Sequence, residues 1–348
     1  MALTDSADLA IAGAGPVGLA TAIFAARAGL HAVVLERRRG EPIDKACGEG
    51  IMPRGVALLR ELGVELPGRP FEGVRFFSRG AIAEGHFPRE PGRGVRRTAL
   101  SGALRERARA LGVEVVSGAA VRDWRETGDR VRVETTAGAL SAAWLIGADG
   151  LHSIVRRQSG LERRSRTPER YGIRRHFRVE PWSSLVEVHW VDDAEAYVTP
   201  VARDEVGIAI LWRGDGRRFD DLLALFPALH ARLRGAEPTS DVSGAGPFSR
   251  RARRSHRGRV VLVATRRGVS IRSRARESRW ASCRRNRSSR RSQAELRCAP
   301  TRGGGAACWP CRAGSRACCC SPRTARACGT GSCRSSRGAR CCSTASSH

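Results

Sequence analysis

The last 84 residues of this chain lack most of the residue types from which a folded core is built. Residues 265–348 contain no lysine, aspartate, phenylalanine, tyrosine or methionine, and only one leucine. They contain 20 arginines, two glutamates and 11 of the 12 cysteines, and so carry +18 of the net charge of +28. A segment so poor in apolar side chains cannot bury enough surface to offset the entropy lost on folding. Function is therefore expected to reside in residues 1–264.

Three interpretations of this Arg- and Cys-rich tail (residues 265–348) are open. A run of arginines at 284–291 is typical of a basic arm that binds nucleic-acid phosphates without sequence preference. Cys308 and Cys311 have zinc-knuckle spacing, but no second pair and no nearby histidine completes four ligands, so no metal site is predicted. The third interpretation is out-of-frame translation of a GC-rich gene, which yields mainly Arg, Ala, Gly, Ser, Cys and Pro.

The genetic code favours the out-of-frame interpretation. If one base is missing after the codon for Val263, residues 264–268 regenerate Gly-Asp-Ala-Ala-Gly when the missing base and the free third bases are G. In the same frame, residues 274–280 permit Thr-Gly-Glu-Gly-Ile-Ala-Leu. A random tail would rarely contain both runs directly after a hydrophobic strand. Most of the basic charge is then a product of translation, and no specific nucleic-acid partner is expected.

Residues 1–264 lack a secretory signal and an uninterrupted apolar segment. The N-terminus carries aspartates instead of basic residues. Glycines, Pro16 and Arg27 interrupt the apolar-rich stretch 7–35, so no transmembrane segment is expected. Cys47 is the single cysteine of this part, which agrees with a reducing, cytoplasmic location. The length suits one large or two small domains.

A strand, a glycine-rich turn, a helix and a second strand follow each other at the start of the chain. A short buried-strand pattern runs into Gly13, Gly15 and Gly18, a helix is predicted over 19–28, and the next strand ends in Glu36. The first glycine allows a tight turn, the second lets the backbone approach a pyrophosphate, and the third lets helix and strand pack closely. Glu36 is placed to accept hydrogen bonds from a ribose hydroxyl. This pattern predicts a dinucleotide-binding βαβ unit in preference to an ordinary Gly-rich turn.

The remaining periodicity indicates a nucleotide-binding α/β domain that an antiparallel sheet interrupts. The further predicted elements are a helix at 98–111, a hairpin around 127–129, a buried strand at 144–147, antiparallel strands between 171 and 212, a helix at 218–233 and a buried strand at 259–263.

These motifs resemble those of the FAD-dependent oxidoreductases that include flavoprotein monooxygenases (aromatic-ring hydroxylases) and geranylgeranyl reductases. The resemblance covers nearly all of residues 8–264. The run from Ala148 to Arg156 is similar to the family's second signature, Ala-Asp-Gly-x-x-Ser-x-x-Arg. Arg97, which opens an Arg-x-x-Leu-x-x-x-Leu helix, resembles the arginine that contacts the flavin nucleotide. Cys47-Gly48-Glu49-Gly50 resembles the Cys-Gly-Gly run of the geranylgeranyl-reductase branch.

The resemblance implies an FAD cofactor, NAD(P)H as co-substrate and an apolar organic small molecule as substrate. Members of the hydroxylase branch transfer one oxygen atom to the substrate, whereas the reductase branch delivers hydride to an isoprenoid double bond. The motifs do not separate the two, although the run at 47–50 favours the reductase branch. Neither catalytic residues nor an oligomeric state follow from the pattern. The implied cofactor-binding residues are Gly13, Gly15, Pro16, Gly18, Glu36, Arg37, Arg97, Asp149 and Gly150, and the flavin-side or substrate-side residues are Cys47, Gly48, Tyr197 and Pro200.

The implied fold is a Rossmann-like FAD-binding domain with an inserted antiparallel-sheet substrate domain. The family's third signature, a Gly-Asp pair after the last strand, has become Ala264-Thr265, so the chain as translated is expected to be inactive. The expected boundaries are 1–165 for the first part of the FAD-binding domain with a substrate-side excursion near 70–95, 166–250 for the substrate domain, 251–264 for the last strand of the FAD-binding domain, and 265–348 for the out-of-frame tail.

The aromatic residues and histidines of the first 264 residues carry weaker signals. Trp190, Tyr197 and Trp212 are candidates for an apolar substrate face, but core packing explains them equally well. Cys47 is by default a small buried hydrophobic residue, since nothing in the sequence places a base beside it. The histidines are scattered, and no chemistry is assigned to them.

Overall fold

In the computed structural model, the described residues are 3–40, 42–163, 168–214, 216–248 and 250–263. The Arg- and Cys-rich tail, which the sequence predicts to lack a packed core, lies outside them. The helices and strands of the described residues are, in chain order, β1 (Ser6–Ala12), α1 (Pro16–Arg27), β2 (Ala32–Glu36), β3 (Gly50–Ile51), α2 (Pro53–Glu61), β4 (Arg69–Phe71), β5 (Gly73–Ser78), β6 (Ala81–His86), β7 (Gly92–Gly94), α3 (Arg97–Ala110), β8 (Glu114–Ser117), β9 (Val121–Thr127), β10 (Arg130–Thr135), β11 (Gly138–Gly147), α4 (Ile154–Gln158), β12 (Glu162–Arg163), β13 (Arg170–Arg178), β14 (Leu185–Trp190), β15 (Ala194–Pro200), β16 (Glu205–Arg213), α5 (Phe219–Leu223), α6 (Pro227–Arg232), β17 (Glu237–Pro238), β18 (Ser243–Ala245), β19 (Arg251–Ala252), β20 (His256–Arg257) and β21 (Val260–Leu262).

The first sheet is the α/β core of the fold. Its strands lie in the order β20-β21-β11-β1-β2-β8, and the hairpin β9-β10 is attached to β11. Strands β21, β11, β1, β2 and β8 pair in parallel, and Ile11 lies between Ile146 and Val34. Central parallel strands are buried on both faces, which is why their sequence is a continuous apolar run. The predicted βαβ unit and hairpin are confirmed.

Helices α1 and α3 cover one face of the first sheet. Leu19 and Ile23 of α1 and Leu104 of α3 are fully buried and share a core with Ile11 and Val34. Burying one such side chain contributes about 2 kcal/mol to stability. The opposite face packs against the β9-β10 hairpin and α4. This layered arrangement holds the turn after β1 in a rigid frame.

The second sheet is mostly antiparallel and has the order β17-β13-β16-β15-β14-β5-β6, with β18 also paired to β13. Its β14-β5 pair is parallel, and β5 and β6 join this sheet from an earlier part of the chain. Helices α5 and α6 cover one face, where Phe219, Leu222 and Leu229 share a core with Ile208 and Ile210. The fold class predicted from sequence, an α/β nucleotide-binding domain with an inserted antiparallel sheet, is confirmed.

The single helix predicted over 218–233 is wrong. The structure has two short helices, α5 and α6, and Phe226 between them has the non-helical angles φ −119° and ψ 74°. Pro227 then begins α6, as expected for a residue that lacks a backbone N–H and has a fixed φ. The apolar periodicity continues through this break and conceals it.

A third sheet has the order β3-β7-β4, and its strand β4 contacts β15 of the second sheet. A Cβ atom on Gly94 of β7 would lie 1.8 Å from the carbonyl oxygen of Pro200, so only glycine fits where the two backbones pass. This contact holds the segment 47–50, which includes the start of β3, close to the end of β15. None of the helices in the described ranges is long and apolar enough to cross a membrane.

Candidate cofactor site

The glycine-rich turn connects β1 to α1, as the sequence predicts. A Cβ atom on Gly18 would lie 1.9 Å from the carbonyl oxygen of Gly13, so helix and turn could not pack as they do with a larger residue. At Gly15, by contrast, the nearest atom to an added Cβ is Nη2 of Arg97, at 3.9 Å. The backbone at Gly15 therefore has open space in front of it. Helix α1 begins at Pro16, so the positive end of its dipole points to the same space.

Glu36 lies beside this turn at the end of β2. Its Oε2 atom accepts a hydrogen bond from the backbone N–H of Ala14 at 2.8 Å, and its Oε1 atom accepts one from Arg38 N–H at 3.0 Å. The side chain is buried, whereas Arg37, the next residue, is exposed. The predicted position of Glu36 is confirmed, and its contact with a ribose stays a prediction.

The Asp149-Gly150 pair follows the end of β11, the neighbour of β1. An added Cβ on Gly13 would lie 2.7 Å from the carbonyl oxygen of Ala148, so the two strand ends are in close contact. Asp149 Oδ2 accepts a hydrogen bond from Val155 N–H at 3.2 Å. Its Oδ1 atom is buried and has no hydrogen-bond partner within the described part of the chain. An unpartnered buried carboxylate oxygen is costly unless a ligand donates to it.

Arg97 supplies a half-buried cation to the same space. Burial lowers the pKa of its guanidinium, although the nearby charges of Cys47, Asp44 and Glu49 oppose that shift. Its Nε atom has no hydrogen-bond partner among the residues that the structure describes. A desolvated cation next to the N-terminus of α1 favours an anionic ligand.

Lys45 is a residue of this site that sequence reasoning missed. Its Nζ atom lies 3.3 Å from the position of an added Cβ on Gly150, and it interacts electrostatically with Glu36 and Arg97. Burial lowers the pKa of the Lys45 ammonium, and the charges of Arg38 and Arg97 lower it further. The sequence contains one signal that could have identified it. Lys45 is the only lysine of the chain, whereas every other position with a Lys or Arg is an arginine.

Lys45→Met is expected to weaken ADP binding about tenfold, since a charge-assisted contact to an anion contributes about 1.4 kcal/mol. Without ligand, the free energy of unfolding of the same variant should be higher by up to about 1 kcal/mol, because the substitution removes a desolvated cation that lies among other cations. Titration calorimetry and thermal unfolding measure the two effects. Arg217→Met removes an exposed charge in the loop before α5 and serves as the control. Equal ADP affinity in the two variants would remove Lys45 from the site.

The segment 47–50 faces the second sheet. The carbonyl oxygen of Gly48 accepts a hydrogen bond from Thr199 Oγ1 at 2.7 Å, and the N–H of Glu49 points to Cys47 Sγ at 3.4 Å. Burial raises the pKa of the Cys47 thiol, which keeps its proton on and disfavours a nucleophilic role. A role for this segment on the flavin side stays a prediction.

The aromatic candidates lie on opposite faces of the second sheet. Tyr197 packs with Val188 and Ala209 on the face turned away from α5 and α6, and Trp190 borders this cluster. Trp212 instead belongs to the core beneath α5 and α6, so it does not line the same face. Burial raises the pKa of the Tyr197 hydroxyl, which therefore remains protonated. In the described ranges, no group of three or more His, Cys, Asp or Glu is placed to hold a metal ion.

Known proteins are similar to this chain in sequence and in fold. A menaquinone reductase of Mycobacterium tuberculosis is 32% identical over 251 residues, which are 66% of this chain and 60% of the reductase. The structure of an anhydrotetracycline hydroxylase from Streptomyces rimosus aligns with a TM-score of 0.59 and 26% identity, covering 76% of this chain and 57% of that one. A flavin-dependent brominase has the same fold, with a TM-score of 0.67, 19% identity and coverage of 76% and 72%.

These relatives are longer than the matched region. The chain spans 60% of the length of the menaquinone reductase. The FAD binding domain family matches residues 6–264, a range that contains the glycine turn, Glu36, Arg97 and Asp149 and that stops one residue after Val263. The match covers most of the chain and confirms the resemblance inferred from the motifs. The chain therefore belongs to the FAD binding domain family.

Proposed function

We propose that this chain derives from an FAD-dependent oxidoreductase that takes electrons from NAD(P)H and acts on an apolar organic small molecule. The observation that carries the proposal is that three features lie around the glycine turn. These are the open backbone at Gly15, the half-buried cation of Arg97 and the unpartnered Oδ1 of Asp149. The desolvated cation and the unpartnered oxygen are unfavourable without a ligand, and the three features together match the charges and hydrogen-bonding groups of a dinucleotide.

The residues present fit the ADP portion of FAD. Backbone N–H groups at the start of α1 and the Arg97 guanidinium would hold the pyrophosphate, and Glu36 would accept hydrogen bonds from the ribose. Asp149 would accept a hydrogen bond from the cofactor through Oδ1, while Lys45 adds positive charge beside Gly150. When bound, FAD supplies the redox chemistry, and the protein contributes orientation and exclusion of water.

The substrate is proposed to contact the face of the second sheet that carries Tyr197. This face bears the apolar cluster of Val188, Tyr197 and Ala209, which offers apolar surface to a substrate. Pro200 and the segment 47–50 lie where this face meets the nucleotide domain.

The present polypeptide is proposed to have lost the flavin-binding segment through a missing base. Two observations support this loss. The alternative frame after Val263 contains the Gly-Asp run expected there, and the family match ends at residue 264. A cofactor held only at its ADP end would lack the orientation that chemistry requires. Resequencing the gene around this codon tests the loss, and an in-frame reading through the whole tail would favour a genuine basic arm instead.

The reductase and hydroxylase versions of the activity are both supported by relatives. One matched protein is named a menaquinone reductase and another an anhydrotetracycline hydroxylase, and the segment 47–50 favours the reductase branch. A geranylgeranyl-reductase-like transfer of hydride to an isoprenoid double bond is therefore the second candidate. A cytoplasmic location is proposed from the reduced state expected of Cys47.

Anaerobic flavin reduction by NADPH or NADH tests the proposed electron donor. The chain as translated should show no reduction of added FAD. In a chain with the restored frame, the flavin absorbance should be lost after mixing with the nucleotide. Exposure of the reduced protein to oxygen, with and without candidate apolar substrates, then separates a hydroxylase from a reductase. A frame-restored chain that holds FAD but accepts hydride from neither nucleotide would contradict the donor assignment.

A further inference from the structure

Glu49 has a backbone conformation that is unusual for glutamate. Its φ is +55°, in the left-handed region that glycine adopts without steric cost. Among the described non-glycine residues, only Arg79 also has a positive φ, and Arg79 lies in the exposed turn between β5 and β6. Glu49, in contrast, is buried. Such strain persists only where the surrounding contacts compensate for it.

The carboxylate of Glu49 supplies those contacts. Its Oε1 atom accepts a hydrogen bond from the backbone N–H of Arg97 at 2.7 Å, in the first turn of α3. Its Oε2 atom lies 2.5 Å from Nε2 of His176, on β13 of the second sheet. Both side chains are 1% exposed, so water does not compete for either contact. Glu49 thus joins the helix that carries Arg97 to a strand 127 positions away.

The neighbours of His176 determine which ring nitrogen carries the proton. Nη1 of Arg174 lies 2.8 Å from Nδ1, and a guanidinium only donates hydrogen bonds. Nδ1 must therefore present its lone pair, which leaves the proton on Nε2, where it is donated to Glu49. Nη2 of Arg174 bonds to Asp44 at 2.5 Å, and Ser240 Oγ accepts from the backbone N–H of His176.

We infer that Glu49 is a positioning residue that places Arg97 for the nucleotide through this His176-Arg174 network. The network fixes the first turn of α3 and the segment 47–50 against the second sheet at the same time. Because the Arg97 backbone is held by the carboxylate, its guanidinium is kept at the open space before Gly15. The inference rests on the proposed function in one respect, namely that the ligand of Arg97 is a dinucleotide.

Glu49→Gln tests the network with almost no change in shape. The amide still accepts from Arg97 N–H, but its NH₂ group then faces Nε2 of His176. That ring nitrogen must become the acceptor, which moves the proton to Nδ1, directly opposite the donating Nη1 of Arg174. We expect the ¹⁵N signal of His176 Nε2 to become that of an unprotonated ring nitrogen, and the signal of Nδ1 to become that of a protonated one. A residue that only filled space would leave these signals unchanged.

ADP binding by the full-length chain is the second measurement. Glu49→Gln should weaken the affinity about tenfold, as loss of one buried charged hydrogen bond does. Glu237→Gln is the matched control, since it makes the same change at an exposed carboxylate on β17 of the same sheet. Wild-type ADP affinity in Glu49→Gln would overturn the inference and leave the proposed function intact.

A second variant keeps the test decisive if Glu49→Gln does not fold. Glu49→Gly adopts the left-handed backbone without strain, yet it removes both hydrogen bonds of the carboxylate. Hydrogen exchange at the Arg97 amide should become at least about tenfold faster, because its acceptor is gone. This readout needs no ligand. If the wild-type chain does not bind ADP, the proposed function fails, and unchanged exchange at Arg97 would then overturn the inference as well.

Discussion

Gly15→Val is expected to abolish nucleotide binding while leaving the fold intact. An added Cβ at this position meets nothing closer than Arg97 Nη2 at 3.9 Å, so the fold accommodates the side chain. The valine would instead fill the space that a pyrophosphate needs next to the N-terminus of α1. We expect ADP affinity to fall at least about a hundredfold, which corresponds to about 2.7 kcal/mol. Titration calorimetry measures the affinity, and thermal unfolding checks the fold.

Gly85→Val is the matched control for this experiment, because Gly85 lies on β6 of the second sheet and has open space around its Cβ position. Glu36→Arg changes the same site at the end of β2. It removes the acceptor for a ribose hydroxyl and should reduce the affinity to a similar extent. If Gly15→Val bound ADP as the unmodified chain does, the turn would not be a nucleotide site.

Restoring one base after the codon for Val263 is expected to produce a yellow protein that holds FAD. In the alternative frame the chain regains a Gly-Asp pair and the helix that should follow β21. The restored segment would orient the flavin end of the cofactor and cover apolar surface of the first sheet, so solubility should rise as well. Flavin absorbance of the purified protein measures the effect, from essentially none to about one cofactor per chain.

Two controls make the frame experiment specific. Insertion of three bases at the same place preserves the present frame and should leave the protein colourless, with weak dinucleotide binding at best. The restored chain with Gly15→Val should also lose its flavin. A restored chain that stayed colourless in excess FAD would contradict the assignment, and stoichiometric FAD with rapid reduction in the unmodified chain would contradict the loss of the flavin segment.

Local elements of the fold were predictable because their determinants are neighbours in sequence. The turn at 13–18, the end of β2 at Glu36 and the helix beginning at Arg97 each depend on contacts within a few residues, on glycine conformations and on apolar runs. The one wrong element, the helix at 218–233, shows that apolar periodicity does not reveal a break within a helix. Apolar periodicity continued across Phe226 and Pro227, whereas the backbone did not.

The sequence by itself determined the nucleotide half of this protein, since the spacing of Gly13, Gly15, Gly18 and Glu36 already specifies a strand, a tight turn, a helix and a second strand. Only the tertiary structure decided what surrounds that half. Lys45 reaches Gly150, and Glu49 meets His176 across 127 positions, through tertiary contacts of loop residues that no local pattern encodes. Long-range pairing depends on the whole core being formed, so the contacts at the boundary between the two sheets become visible only in the folded chain.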